Sequence, residues 1–259
     1  MIYRAALVTG ASSGIGEAIA RQLPPETDLL LTGRRADALA GLRAELARPG
    51  RRIETLVADL AEIGGIGRVA AAAETFGIDL LVNNAGLGQF GAILANDPVR
   101  ESEMVMVNVV APAVLTNALL PGMLRRAREG KTRAGVVIVA SVVGFLPVPR
   151  AATYAATKAF DLHYALGLAD ELRKEPVDVL ALCPGSTATR FGERAGSAPR
   201  LARMGHSAER VAEAGLAALG RRQLVVVGAG NTLMTTIVRL MPLRLLTRLV
   251  GLVTASMVR

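Results

Sequence analysis

Tyr154 and Lys158 stand four residues apart in the run T-Y-A-A-T-K-A, and Ser141 lies thirteen positions upstream. The apolar spacing of residues 151–174 and the lack of interior proline predict a helix, on which positions i and i+4 share a face about one turn apart. A phenol and an ammonium would then share a site. The positive charge favours the phenolate, so the pKa of Tyr154 is expected to fall toward the working pH, as a phenol needs for general acid–base chemistry. The same spacing also occurs on exposed helix faces that meet only water. The elements that position the pair therefore decide between the two readings.

The N-terminus supplies one such element. Residues 3–9, Y-R-A-A-L-V-T, read as a strand, followed by Gly10-Ala11-Ser12-Ser13-Gly14-Ile15-Gly16 and a helical run E-A-I-A-R-Q-L. Strand, glycine turn and helix together aim bare N–H groups and the positive end of the helix dipole at one point, which suits a pyrophosphate. Gly10 is expected to permit the tight turn, Gly14 the close approach of phosphate, and Gly16 the packing of helix on strand. The hydroxyls of Ser12 and Ser13 can add phosphate contacts. The spacing is G-x-x-x-G-x-G rather than the commoner G-x-G-x-x-G.

Apolar runs and helical patterns alternate through the 259 residues. Strands are predicted at 3–9, 28–32, 53–58, 78–83, 134–140, 177–183 and 223–227; helices at 14–23, 36–48, 61–75, 98–128, 151–174 and 207–220. This order implies right-handed βαβ crossovers and a doubly wound parallel α/β sheet of the Rossmann type, about seven strands with helices on both faces. Ligands in such sheets bind beyond the carboxyl ends of the strands where strand order reverses. Gly10, Asn83, Ser141 and Pro184 all fall at predicted strand ends. Residues 1–230 form a single catalytic domain in this reading, and 231–259 a C-terminal amphipathic helical extension of it. A core of Ala, Leu, Val and Ile is implied by 51% hydrophobic residues with only 3% aromatic and no Trp.

Together these motifs resemble the short-chain dehydrogenase/reductase family over nearly the whole chain. T-G-A-S-S-G-I-G is similar to its cofactor turn, Asp59-Leu60 to its adenine-side element, and Asn83-Asn84-Ala85-Gly86 to its N-N-A-G motif. Asn108 stands where the family carries a helix-borne Asn. Ser141, Tyr154 and Lys158 match its Ser-Tyr-Lys set, and Pro184-Gly185 with Thr189 matches its P-G-x-x-x-T element, Thr187 lying within it. Thr157 departs from the commoner Ser, and the last thirty residues belong to a subset of the family. The resemblance implies hydride transfer between a nicotinamide and a ketone or secondary alcohol. Tyr154 would be the proton donor or acceptor and Ser141 would hold the substrate oxygen. Lys158 would favour the ionised phenol and hold the nicotinamide ribose, while Asn108 would order a water that joins Lys158 to solvent. Asn83, Ala85 and Gly86 would line the cofactor side, and Thr189 would reach the nicotinamide amide or pyrophosphate. A lid over substrate is expected between Ser186 and His206. A homodimer or homotetramer is expected, and no metal site.

Cofactor preference is read from the second strand's end, which is followed by Arg34-Arg35 with no acidic residue between Asp28 and Asp37. An Arg can accept a 2′-phosphate where an acid would bind ribose hydroxyls. NADP(H) is therefore expected, with Arg34 the main ligand and Arg35 stacking or assisting; NAD(H) stays open. A net charge of +8 raises nucleic acid as a partner, but the arginines are dispersed with almost no aromatic residues among them, so no base-stacking platform is expected. Cys183 is expected to be a buried small hydrophobe, and one cysteine without a secretory signal fits a cytoplasmic protein. His163 and His206 have no motif partner. In the tail, Leu245, Leu246, Leu249, Leu252, Val253 and Met257 recur at helical spacing opposite Arg244, Thr247, Arg248, Gly251 and Ala255. Arg239, Pro242, Arg244 and Arg248 leave no apolar span of ~20 residues. Three readings stay open: packing on its own domain or across a dimer, a lid over an apolar substrate such as an acyl chain or sterol, or an interfacial helix at the inner membrane surface.

Overall fold

The computed structural model describes residues 3–196 and 205–255. Seven strands run parallel: β1 (Ala5–Thr9), β2 (Asp28–Gly33), β3 (Ile53–Val57), β4 (Leu80–Asn83), β5 (Ala134–Val139), β6 (Val177–Cys183) and β7 (Leu224–Val226). Their order is β3-β2-β1-β4-β5-β6-β7, so strand order reverses between β1 and β4. β1, β4 and β5 are buried along their whole length, which is why their sequences are continuous apolar runs rather than alternating ones.

Helices cover both faces. α1 (Gly14–Gln22), α2 (Ala36–Leu46) and α8 (Ala208–Ala218) bury Ile19, Leu39 and Val211 on one side. α3 (Ile63–Phe76), α5 (Ala111–Gly130) and α6 (Ala152–Glu171) bury Ile66, Leu115 and Leu162 on the other. Short α7 (Phe191–Ala195) falls within the expected lid; residues 197–204 of that segment lie outside the described residues, as does Met257.

The predicted helix 98–128 is found as α4 (Pro98–Val105) running into α5 through one π-helical turn, Met106–Val110. Pro112 explains the turn. It has no N–H to return to the carbonyl of Asn108 four residues back, so the α-helical ladder cannot close there, and Ala111 bonds instead to Met106. This continuous helix is long and apolar enough to cross a membrane, but Met104, Leu115, Leu119 and Met123 are core residues.

The tail is helical, as expected, but comes as two helices, α9 (Ala229–Val238) and α10 (Leu243–Ala255), broken ahead of α10 by Pro242. One side of the last helix packs on the domain and the other does not. Leu246 is buried and Val250, Gly251 and Thr254 face the domain, whereas Leu245, Leu249 and Leu252 point outward. The strip of mixed small residues, rather than the leucine stripe, packs inward because Gly251 lets the helix settle on Pro149.

Candidate functional site

The carboxyl ends of β1, β4, β5 and β6 open into one cleft of about 830 Å³. Thr9 and Asn84 knit the point of strand reversal. Thr9 Oγ1 donates to Val82 O and accepts from the Asn84 and Ala85 amides at 2.9 and 3.0 Å, while Asn84 Nδ2 donates to Thr9 O at 2.8 Å. The glycine turn closes over this amide. Gly10 takes φ +66, and a Cβ on Gly16 would lie 2.3 Å from Asn84 Nδ2 and 2.7 Å from Gly10 O. Gly16 therefore packs on the Asn84 side chain and the turn after β1, the close approach of helix to strand expected of it, and does not line the cleft. Asn83 departs from its expected place on the cofactor side. Its amide turns away to donate to Thr116 on α5 at 3.0 Å, because alternate residues of a strand point to opposite faces. Asn84 is the neighbour that faces the cleft, and the sequence reading had not singled it out. The signal was there, since strand alternation puts only one of two adjacent asparagines on each side.

Gly10, Ser12, Ser13, Gly14 and Ile15 line one end of the cleft with Arg34, Arg35, Asp59 and Leu60, and Ala85 and Gly86 form the middle. Ser13 caps α1 without a side-chain hydrogen bond, so the first N–H groups of α1 are left to an anion. Arg35 donates to Ser12 O, which brings its guanidinium over the turn. Arg34 is half exposed and sits 3.7 Å from Asp59. These residues fit a dinucleotide with its pyrophosphate on the α1 N-terminus.

Pro184, Gly185 and Thr187 line the cleft with Ser141, Tyr154 and Lys158, while Thr189 reaches back over the glycine turn, its Cγ2 3.1 Å from where a Cβ on Gly14 would stand. The 3-10 turn Val142–Phe145 places Ser141 beside Tyr154 because Gly144 lets it approach α6: a Cβ there would lie 2.5 Å from Lys158 O. Ser141 lies beside the phenol, its Oγ donating to Pro184 O at 3.4 Å and accepting from the Val143 amide at 3.3 Å. Phe90 and Phe191 flank the Tyr154 ring at 5.7 and 5.6 Å between centroids, and Val143 and Val148 complete an apolar wall. α7 thus lies against Tyr154, tied by the Phe90 amide donating to Ala195 O at 2.8 Å. Thr254 of α10 also reaches this wall.

Asp161, which the sequence reading passed over, changes the electrostatics. Lys158 Nζ donates to Asp161 Oδ2 at 2.7 Å and to Val139 O at 2.8 Å, with both side chains of the pair almost fully buried. Burial alone would lower the Lys158 ammonium, but Asp161 and the phenol hold it above its ordinary value. Burial raises the Asp161 carboxyl, against the Lys158 charge. For Tyr154, burial outweighs the Lys158 charge and the neighbouring Ser141 hydroxyl, and Asp161 adds to the rise. The expected fall in the Tyr154 pKa is therefore not found: the buried phenol beside an already compensated ammonium is held above its ordinary value.

Asn108 is held fast by the protein around it. Its side chain is spent on protein, with Oδ1 accepting from the Leu87 amide at 2.8 Å and Nδ2 donating to Leu87 O and Thr157 Oγ1 at 2.9 Å each. It clamps the loop after β4 to α6 instead of presenting a side chain to water. Beside it lies a separate cavity of about 10 Å³, bordered by Asn83, Asn108, Pro112, Val139 and Asp161 and large enough for one water. Asp161 Oδ1 is buried with no hydrogen-bond partner among the described residues. Cys183 is fully buried, its thiol pushed up to about 12, as suits a packing residue.

Comparison with known proteins agrees with this geometry. The family model described as short chain dehydrogenase matches residues 4–199. The dehydrogenase/reductase SDR family member 7B of Bos taurus is 34% identical over 238 residues, covering 85% of this chain and 72% of its own. A short-chain dehydrogenase from Sphingobium yanoikuyae in complex with NADPH superposes with TM-score 0.77 at 31% identity, covering 86% of each chain. A short-chain dehydrogenase/reductase from Burkholderia phymatum in complex with NAD gives TM-score 0.78 at 25% identity, over 91% of this chain and 92% of that one. With NADPH in one such neighbour and NAD in another, a nicotinamide dinucleotide is the cofactor class of this fold. The cleft at the point of strand reversal is thus that of an oxidoreductase, and the chain belongs to the short-chain dehydrogenase/reductase family.

Proposed function

We propose that the protein is an NADP(H)-dependent oxidoreductase that interconverts a bulky apolar ketone and its secondary alcohol. The observation that carries this reading is Tyr154 with Ser141 and Lys158 at one end of a cleft whose other end is the glycine turn with Arg34 and Arg35. The bound cofactor supplies the hydride. Tyr154 gives its proton to the carbonyl oxygen as the carbon is reduced, and Ser141 hydrogen-bonds the same oxygen and keeps it in line. Lys158 stabilises the phenolate left behind, and the proton is replaced from solvent by way of Lys158 and the one-water cavity beside Asn108. A phenol held protonated suits the reductive direction, because the acid is already loaded at neutral pH. General acid catalysis of this kind contributes ~100- to 10,000-fold. Tyr154→Phe removes only the transferable proton, so kcat is expected to fall by that order while NADPH binding, followed by fluorescence titration, is retained. Near-normal turnover would sink the assignment.

Arg34 and Arg35 support the NADP(H) preference through charge-assisted contacts to a 2′-phosphate. Asp59 beside Arg34 keeps that guanidinium at the cleft rim. Arg34→Ala is expected to weaken NADPH by ~10- to 100-fold and NADH by little, equivalent to a charge-assisted bond of ~1.5–3 kcal/mol. Titration of both cofactors into wild type decides it, since a wild-type preference for NADH contradicts the reading. The apolar wall of Phe90, Val143, Val148 and Phe191 supports the substrate class: it offers room and dispersion contacts but few polar groups to a ligand.

A further inference from the structure

The tail helices carry an apolar face that the domain does not cover. On α9, Leu233 and Ile237 are 64% and 51% exposed, and Leu240 just beyond it 85%. On α10, Leu245, Leu249 and Leu252 are 50%, 44% and 73% exposed, while Leu246 on the opposite side is 3% exposed. This helix is therefore fixed by its inner side and free on its outer one. Arg244 and Arg248 are exposed one turn apart along the edge of the outer face, while Arg239 between the helices sets its guanidinium over the Phe145 ring at 4.5 Å. No Asp or Glu follows Glu213 in the sequence.

A second copy of the chain is a poor match for this face. A two-fold contact sets a patch against itself, so it would bring the arginines of both copies into one contact to which residues 214–259 supply no acid. Anionic headgroups match the cations, and acyl chains match the leucines, whose arginine neighbours are long enough to keep their charge at the headgroup level. The position fits the chemistry of the cleft. α10 lies between the outer face and the substrate wall, packing Val250 against the cluster around Tyr154 and lining the cleft with Thr254.

We propose that the outer face of α9 and α10 docks the protein on an anionic lipid membrane, with the apolar end of the cleft held next to the bilayer. The docking rests on the tail alone; its use in presenting a lipid-like ketone rests also on the oxidoreductase reading. The test is co-sedimentation of the full chain with vesicles of phosphatidylcholine, pure or mixed with phosphatidylglycerol. Strong binding to the mixed vesicles, weak binding to the pure ones and release by salt are expected. Leu245→Glu with Leu249→Glu should abolish binding, and Arg244→Gln with Arg248→Gln should weaken it by ~30-fold. Both double variants should still bind NADPH and reduce a small soluble ketone as wild type does, so failure of docking and failure of the oxidoreductase reading are distinguishable. Absence of binding to mixed vesicles, or equal binding to both kinds, overturns the proposal. So does a lower mass of the Leu245/Leu249 variant in lipid-free ultracentrifugation, which would make this face a contact between copies.

Discussion

Asp161 sets the chemistry of the residues around it. An ammonium buried next to a phenol would pull the phenol toward ionisation, but here the same ammonium is held at 2.7 Å by a carboxylate one turn further along α6. The charged and titratable groups around this carboxylate are Lys158, Tyr154 and the thiol of Cys183. Its charge raises the Tyr154 pKa, so removing it should lower that pKa as long as Lys158 stays protonated. In alcohol oxidation the phenolate is the base, and the wild-type rate should climb with pH up to and beyond the ordinary phenol value of 10.0. Ketone reduction needs the phenol and should stay flat through neutral pH. Asp161→Asn is expected to move the alkaline limb of oxidation to lower pH, and Asp161→Glu to restore it. Unchanged limbs in the Asn variant would reduce Asp161 to a packing role.

At the scale of elements, the site depends on how closely the turn after β5 approaches α6. Gly144 permits that approach, and a methyl there would meet the Lys158 carbonyl at 2.5 Å, where backbone cannot yield cheaply. Gly144→Ala should therefore cost ~1–3 kcal/mol in urea denaturation and lower kcat through displacement of Ser141 from Tyr154, with less change in NADPH affinity. A variant that keeps wild-type stability and kcat would show that the turn has slack. The seven strands and the main helices were legible because each is a long run with one dominant period, and the site motifs were legible because they fall at strand ends. Facing was harder to read. Asn83 and Asn84 are the same residue type in one motif, and only strand alternation at β4 separates the one that bonds Thr116 from the one that supports the glycine turn. In α10 the leucine stripe points outward because the domain offers a shallow seat at Pro149 that suits Gly251 and Val250. The seat comes from residues a hundred positions away, so no local pattern contains it. The π turn was nearer to hand: Pro112 four residues after Asn108 already forbids the ordinary ladder.

Across the whole molecule, the cleft draws its walls from both halves of the sheet. β1 and β2 contribute the glycine turn and the arginines, β4 the Asn84-Ala85-Gly86 loop, and β5 and β6 the Ser141 and Pro184 turns. A dinucleotide along this line would therefore touch elements on both sides of the point of strand reversal between β1 and β4. Ligand that binds only the folded state adds ~2.7 kcal/mol at about 100 times Kd, which for a chain of this size raises Tm by ~5–10 °C. NADPH at saturating concentration should accordingly move the main calorimetric transition upward as a single event, with NADH at the same concentration giving a smaller shift if Arg34 and Arg35 hold a 2′-phosphate. The tail should not share fully in that gain, because α9 and α10 meet the cleft only through its outer wall and keep one side exposed. Hydrogen exchange in the presence of NADPH separates the two: strong new protection is expected at residues 10–16 and 84–87, and little along 243–252. A uniform rise in protection that includes α10 would mean that cofactor and tail are coupled, and that docking of the tail reports the loading of the cleft.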